Sequence, residues 1–269
     1  MNFQTEKSKL YDTITNFFIE PQEQTKLQRV LNSLNLSKDP ATEIAKIIQF
    51  LGDNKVVLAG GAMTSLFTGK NINDLDFYLE DRTKLAVVQE FLYSYFKEPP
   101  FVSANCITFK RKGRGRKVWT VQLITRFSGN PYDVFKNFDF TITTGAYRFW
   151  DADFYFGDRF FPDISARKLV FMGASEYPIC ALWRTKKYQA RGYDCPGSTI
   201  MHIGLAIVRL QIETYGELKK QLLGIDTIYL QKLLEREEYA DGLPVDYGKF
   251  VADALHYMNV HHEEDDEKS

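Results

Sequence analysis

The segment KVVLAGGAMTSLFTGKNINDLDFYL, from Lys55 to Leu79, constrains the fold of this chain more than any other stretch. VVLA is a short apolar run of β-branched and aliphatic residues that suits a buried strand, and Gly60-Gly61 ends it in a tight turn. AMTSLFTG is long enough for two helical turns, with Gly69 as its stop. DLDFYL then alternates polar and apolar residues as a half-buried strand does. In a strand, side chains two apart share a face, so Asp74 and Asp76 point one way while Leu75, Phe77 and Leu79 point into a core.

That layout carries chemistry. Two carboxylates on one strand face repel each other unless a cation lies between them. Hard oxygen donors on a rigid strand suit Mg²⁺ (or Mn²⁺), which keeps some of its waters and completes its shell with phosphate oxygens. Gly60 and Gly61, between a strand and a helix, let backbone approach a phosphate, and amides of the first helical turn donate to it. Thr64 and Ser65 add hydroxyls within reach. An anion cradle beside a carboxylate pair describes a site for a nucleoside triphosphate and a metal ion.

The remaining chain is helical, then strand-rich, then helical. Residues 1–54 read as a helical segment, clearest from Asp39-Pro40, where a capping residue precedes a proline and Ile44, Ile47, Ile48 and Leu51 share a face. Another helix fits 82–97, stopped by Pro99-Pro100. ANCITFK and KVWTVQLIT read as strands around a basic tip, and FDFTITTGAY, DFYFGD and KLVFM follow as further strands. Helices return at CALWRTKKYQA and TIMHIGLAIVRLQIETYGELKKQLL, and HHEEDDEKS, 261–269, closes the chain as a charged tail.

The charges narrow the class of function. Lys and Arg (34) nearly cancel Asp and Glu (35), which excludes a protein that coats nucleic acid with its whole surface. Yet Lys110, Arg111, Lys112, Arg114, Arg116 and Lys117 concentrate six basic residues at one tip, suited to tracking an RNA backbone. Trp119 and Phe109 beside it are read as sheet packing. Three widely spaced cysteines, Cys106, Cys180 and Cys195, form neither a disulfide framework nor a metal pair. No apolar run is long enough for a membrane span. The expected setting is cytoplasmic.

GGAMTSLFTGKNINDLDFYL resembles the signature of the polymerase-β-like nucleotidyltransferase superfamily, most closely the head of CCA-adding enzymes and bacterial poly(A) polymerases. The resemblance runs over about 55–172, through TVQLITR, FDFTITTGAY and FGDRFFPDISARKLVF. It implies that Asp74 and Asp76 are metal ligands and that Gly60 and Gly61 contact the triphosphate. By the same analogy Arg184 and Lys187, on one face of a helix after the head, help neutralise it. There are departures. Thr64-Ser65 stands where those enzymes have Arg-Asp, Asn137-Phe138 where they have arginines, and Gln122 where they have a third acid. An amide can ligate Mg²⁺ but cannot act as a base. Asp139 is an alternative third carboxylate, with a structural role in the head as its competing reading.

The expectation is an α/β (α+β) fold: a mixed-sheet nucleotidyltransferase head, 55–175, flanked by a helical segment, 1–54, and a helical region, 176–260. The expected reaction is metal-dependent transfer of a nucleotidyl group from a nucleoside triphosphate to a hydroxyl, with an RNA 3′ end as acceptor. Alternatives are modification of a protein or small molecule, or a non-catalytic nucleotide- or RNA-binding relative.

Overall fold

A computed structural model describes residues 2–19, 40–96, 98–112, 118–173, 175–222, 233–254 and 256. The chain forms two compact units, Met1–Ala166 and Arg167–Ser269.

The first unit is built on a seven-stranded sheet of order β3-β4-β5-β2-β1-β6-β7. Its strands are β1 (Val56–Ala59), β2 (Asp74–Leu79), β3 (Phe101–Val102), β4 (Cys106–Lys112), β5 (Val118–Ser128), β6 (Gly145–Arg148) and β7 (Asp153–Phe156). Every neighbouring pair is antiparallel except β2 and β5, which run parallel, so the sheet is mixed as expected. A parallel pair needs a crossover. Here α4 (Leu85–Tyr95) and the β3–β4 hairpin supply it.

One face of the sheet holds the main core. Leu58, Leu75, Phe77, Val121, Leu123, Ile107 and Phe109 pack there with Leu10, Ile14 and Phe17 of α1 (Phe3–Phe18) and Ile47 and Leu51 of α2 (Pro40–Asp53). The N-terminal helices therefore share a core with the sheet. Each buried Phe or Leu contributes about 1.5–3 kcal/mol relative to exposure. Trp119 packs against Phe17 with the ring centroids 4.5 Å apart and the planes inclined by 58°, the packing role its sequence position suggested. The opposite face is covered only in part. Val57, Ala59, Tyr78 and Ala146 lie under Val134 and Phe135 of the short helix α5 (Pro131–Phe135), with Phe138 packed beside them.

Two strand expectations are corrected. In FDFTITTGAY only Gly145–Arg148 is strand; Asp139 lies in a bend and Thr141–Thr143 forms a 3-10 turn. Side-chain bonding overrides the strand pattern here: the Thr143 hydroxyl donates to Phe140 O and the Thr144 hydroxyl to Thr141 O, both at 2.7 Å. KLVFM forms no strand either; it opens the second unit, where Lys168 makes an isolated bridge with Asp194.

The second unit carries α7 (Pro178–Ala190), α8 (Gly197–Val208) and α9 (Tyr215–Leu222), α6 (Phe160–Ser165) having closed the first. Cys180, Tyr215, Leu218, Leu233 and Tyr239 form its core. The long helical stretch read from 199 to 223 is broken between Val208 and Tyr215. Thr214 and Glu217 form a capping box: the Glu217 carboxylate accepts from the Glu213 and Thr214 amides at 2.8 and 3.0 Å, and the Glu217 amide points at the Thr214 hydroxyl. The T-x-x-E signature was present in the apolar run and marks a new helix start.

Candidate active site

The register of the sheet builds the site. Residues paired across neighbouring strands share a face, and on the less covered face Ala59 pairs with Asp76, Asp76 with Gln122, and Gln122 with Thr108. One step along, Asp74 pairs with Thr120 and Thr120 with Lys110. Two adjacent rows thus cross three strands carrying Asp76, Gln122 and Thr108, then Asp74, Thr120 and Lys110. Asp74, Asp76, Thr120 and Gln122 are half-buried, Thr108 is buried and Lys110 is exposed. Spacing along a strand sets Asp74 and Asp76 about 6–7 Å apart at the backbone, and neighbouring strands lie about 4.8 Å apart.

Gly60 and Gly61 border these rows. Gly60, with φ +88° and ψ −140°, leaves β1 and opens α3 (Gly61–Phe67) in a conformation that L-residues avoid. Its amide donates to Gly145 O at 3.1 Å, which ties the turn to β6. A Cβ at Gly60 would stand 3.7 Å from Asp76 Oδ2 and 3.8 Å from Phe138 Cζ, so carboxylate, turn and ring converge on one point. A Cβ at Gly61 would meet nothing within 4 Å. The turn is backed by the head and open in front of Gly61.

The other residues read from the sequence fall into distinct places. Thr64 is buried and its hydroxyl donates to Ile142 O at 2.7 Å, so that hydrogen is committed to the 3-10 turn and not to a ligand. Ser65 is buried beside it on α3. Asp139 is 7% exposed, one residue beyond Phe138. The same loop is latched by Asp163 of α6, a buried carboxylate that accepts from the Thr141 hydroxyl at 2.6 Å and from the Arg159 guanidinium at 2.6 and 3.0 Å. Asp163 was not singled out from the sequence; its only signal was an Arg four residues earlier. Asp133 lies in the first turn of α5, where it accepts from the Asn130 amide side chain, and its hydrogen-bonded salt bridge with Lys136 holds its carboxyl below the usual carboxylate range. Asp151 pairs with Arg148 and Tyr155, and these hydrogen bonds leave its pKa lowered although burial opposes them.

The basic tip is divided by the pleat. Lys110 and Lys112 lie on the face of Asp74, whereas Arg111 points to the other side. Its guanidinium donates to Asn16 O and Phe17 O at 2.7–3.2 Å, where the last carbonyls of α1 need partners and present the negative end of the helix dipole. Arg111 is thereby corrected from a nucleic-acid contact to a helix cap. Lys112 lies 3.7 Å from Glu98. Arg114, Arg116 and Lys117 lie outside the described residues, as do His261, His262 and the rest of the charged tail. Arg184 and Lys187 are exposed on α7 of the second unit, and Tyr188 on that helix is buried.

The donor set fits a hard cation. Asp74 and Asp76 supply carboxylate oxygens, and Gln122 stands beside Asp76 with an amide oxygen. Among the described residues no group of three His, Cys, Asp or Glu side chains is placed to hold a metal. The residues that the register brings together are two carboxylates and an amide.

Comparison with known proteins places the chain. The model of the Gabija anti-defense 2 family matches residues 22–167, more than half of its length. This chain belongs to that family. A relative described as Gabija anti-defense 2, from Bacillus phage SPbetaL7, is 32% identical over 197 residues, covering 73% of this chain and 48% of its own length. The chain thus spans about half the length of that family member. Solved structures with a similar course of chain include the Thermotoga maritima CCA-adding enzyme complexed with tRNA, at 15% identity and a TM-score of 0.46 over 82% of this chain and 52% of that one. A CCA-adding enzyme in an apo form shows 16% identity and a TM-score of 0.48 over 83% and 52%. At those values they carry no conclusion about chemistry. Among the described residues no helix is long and apolar enough to cross a membrane.

Proposed function

We propose that this member of the Gabija anti-defense 2 family is a nucleotidyltransferase. It moves a nucleotidyl group from a nucleoside triphosphate to a hydroxyl, releases pyrophosphate, and thereby counteracts the defence for which its family is named. The observation that carries this reading is the register Asp76–Gln122 beside Asp74–Thr120, on a sheet face bordered by the Gly60–Gly61 turn. A bound Mg²⁺ would supply charge to offset that developing on the transferred phosphate and on the attacking oxygen. Asp74 and Asp76 hold it through carboxylate oxygens and Gln122 through its amide oxygen. Gln122 adds no charge and accepts no proton, so both duties fall on the two carboxylates. The open backbone at Gly61 takes the triphosphate.

The acceptor is proposed to be an RNA 3′ end, because Lys110 and Lys112 share the face of the carboxylates. A second reading is transfer to a protein hydroxyl, in which the enzyme modifies a component of the defence for which its family is named. α-Labelled triphosphates incubated with the protein, Mg²⁺, total RNA and cell protein separate these readings. Nuclease-sensitive label supports the first and protease-sensitive label the second. No label with any triphosphate would refute transfer.

A further inference from the structure

The face that carries Asp74 and Asp76 is blocked in one direction and open in the other. Over β1 and β6 it is filled: Ala59 and Ala146 are fully buried under Val134, Phe135 and Phe138, and the Phe138 ring lies 5.9 Å from both Tyr78 and Phe135. Over β5 and β4 it becomes more polar and more exposed, from Gln122 and Thr120 to Lys110. Across the strands, the uncovered part of this face beyond the carboxylates therefore lies toward β4. Gly60–Gly61 borders the carboxylates on the β1 side, so the two ends of the site differ in chemistry: backbone amides at one, a hydroxyl and an ammonium at the other.

Lys110 is distinguished from its neighbours by register. It shares a row with Asp74, with Thr120 as the single residue between them, two strand spacings or about 9–10 Å at the backbone. Its extended stem spans much of that distance. Among the described residues Lys110 forms no ion pair, whereas Lys112 has Glu98 and Arg111 is turned to the other side to cap α1. Lys110 remains exposed.

We propose that Lys110 and Thr120 form a phosphate-binding subsite for the acceptor, taking a backbone phosphate of a single-stranded nucleic acid whose 3′ end reaches Asp74 and Asp76. The inference rests on the transferase reading and deepens it by giving the acceptor a side of the site opposite the triphosphate. The ammonium and hydroxyl donate to non-bridging phosphate oxygens, and the strand runs outward over β4.

The test uses the full chain and two probes: a short single-stranded RNA oligonucleotide with a free 3′ hydroxyl, and each nucleoside triphosphate with Mg²⁺. Lys110→Met keeps the stem and removes the charge, and at an exposed position it should not disturb folding. The expected result is oligonucleotide binding weakened roughly three- to tenfold, with the slope of log affinity against log salt reduced by about 0.7, one phosphate contact on a single strand. Triphosphate binding should be unchanged. Lys112→Met, whose partner is Glu98, should weaken oligonucleotide binding less. The proposal is overturned if Lys110→Met binds RNA like the unaltered protein, if it loses triphosphate instead, if Lys112→Met has the larger effect, or if the unaltered protein binds no oligonucleotide. If triphosphate binding is present while RNA binding is absent, the subsite fails and the transferase reading stands. If triphosphate binding is also absent, both fail.

Discussion

Substituting the two adjacent glycines of the turn should separate what the fold needs from what the ligand needs. Gly61 has no positive φ and sits in the first turn of α3, where an added Cβ meets nothing within 4 Å. Gly61→Ala therefore costs no contact and lowers the entropy of the unfolded chain, stabilising the protein by about 0.4–1 kcal/mol. Gly60 is different. At φ +88° and ψ −140° an L-residue is strained by about 1–3 kcal/mol. The cost there is backbone strain and not crowding, since the nearest atoms, Asp76 Oδ2 and Phe138 Cζ, stand at ordinary contact distances of 3.7 and 3.8 Å. The two variants should thus move stability in opposite directions in urea unfolding followed by tryptophan fluorescence. In calorimetric titration with each triphosphate and Mg²⁺ they should move together. Gly60→Ala displaces the turn, and Gly61→Ala puts a methyl group where phosphate oxygens approach the backbone, with an expected loss of at least about tenfold, or ~1.4 kcal/mol. Full triphosphate affinity in the stabilised Gly61→Ala variant would refute the placement of the phosphates. Unchanged stability in Gly60→Ala would refute the strained turn.

Two further outcomes test other parts of the account. Arg111→Met should destabilise the first unit by about 1–2 kcal/mol through loss of the α1 cap and leave RNA affinity nearly unchanged; the reverse pattern in unfolding and binding assays would restore Arg111 to the basic strip. At the capping box, the backbone amides of Glu213 and Thr214 hold the Glu217 carboxyl below its usual 4.5. A carboxylate whose pKa is depressed by folding contributes stability that is complete above the unfolded value and is lost as pH falls through the folded value. The stability difference between the unaltered protein and Glu217→Ala should accordingly hold from neutrality to about pH 5 and shrink below it. A difference independent of pH down to 3 would mean that the charge of Glu217 plays no part.

The centre of the sheet was legible because local and tertiary signals agree there. VVLA, Gly60-Gly61 and DLDFYL each have one reading, and their order leaves one geometry in which Asp74 and Asp76 share a face. Gln122 could be placed only by resemblance, since nothing within β5 says which strand lies beside it; the parallel pairing with β2 does. The loop of Phe138 and Asp139 reads as strand from its apolar alternation, while threonine hydroxyls bonding to nearby backbone hold it in a turn. Asp163 and Arg111 were invisible or misread for one reason. Their partners, Thr141 and the end of α1, are distant in sequence, and a charged residue looks the same whether it faces solvent, a ligand or a helix end. The division between Ala166 and Arg167 likewise has no local mark, because KLVFM is as apolar as a strand and packs with the second unit.

The central claim is that Asp74 and Asp76 form a catalytic metal site. It is tested most directly by pyrophosphate release with Mg²⁺, a nucleoside triphosphate and cell extract as acceptor source, comparing the unaltered protein with Asp76→Asn at matched unfolding midpoints. Asn keeps the size of the side chain and removes the charge that holds the cation. The account predicts Mg²⁺-dependent release by the unaltered protein and its loss, by a factor of at least about a hundred, in Asp76→Asn. Release that continues at full rate in Asp76→Asn would contradict it.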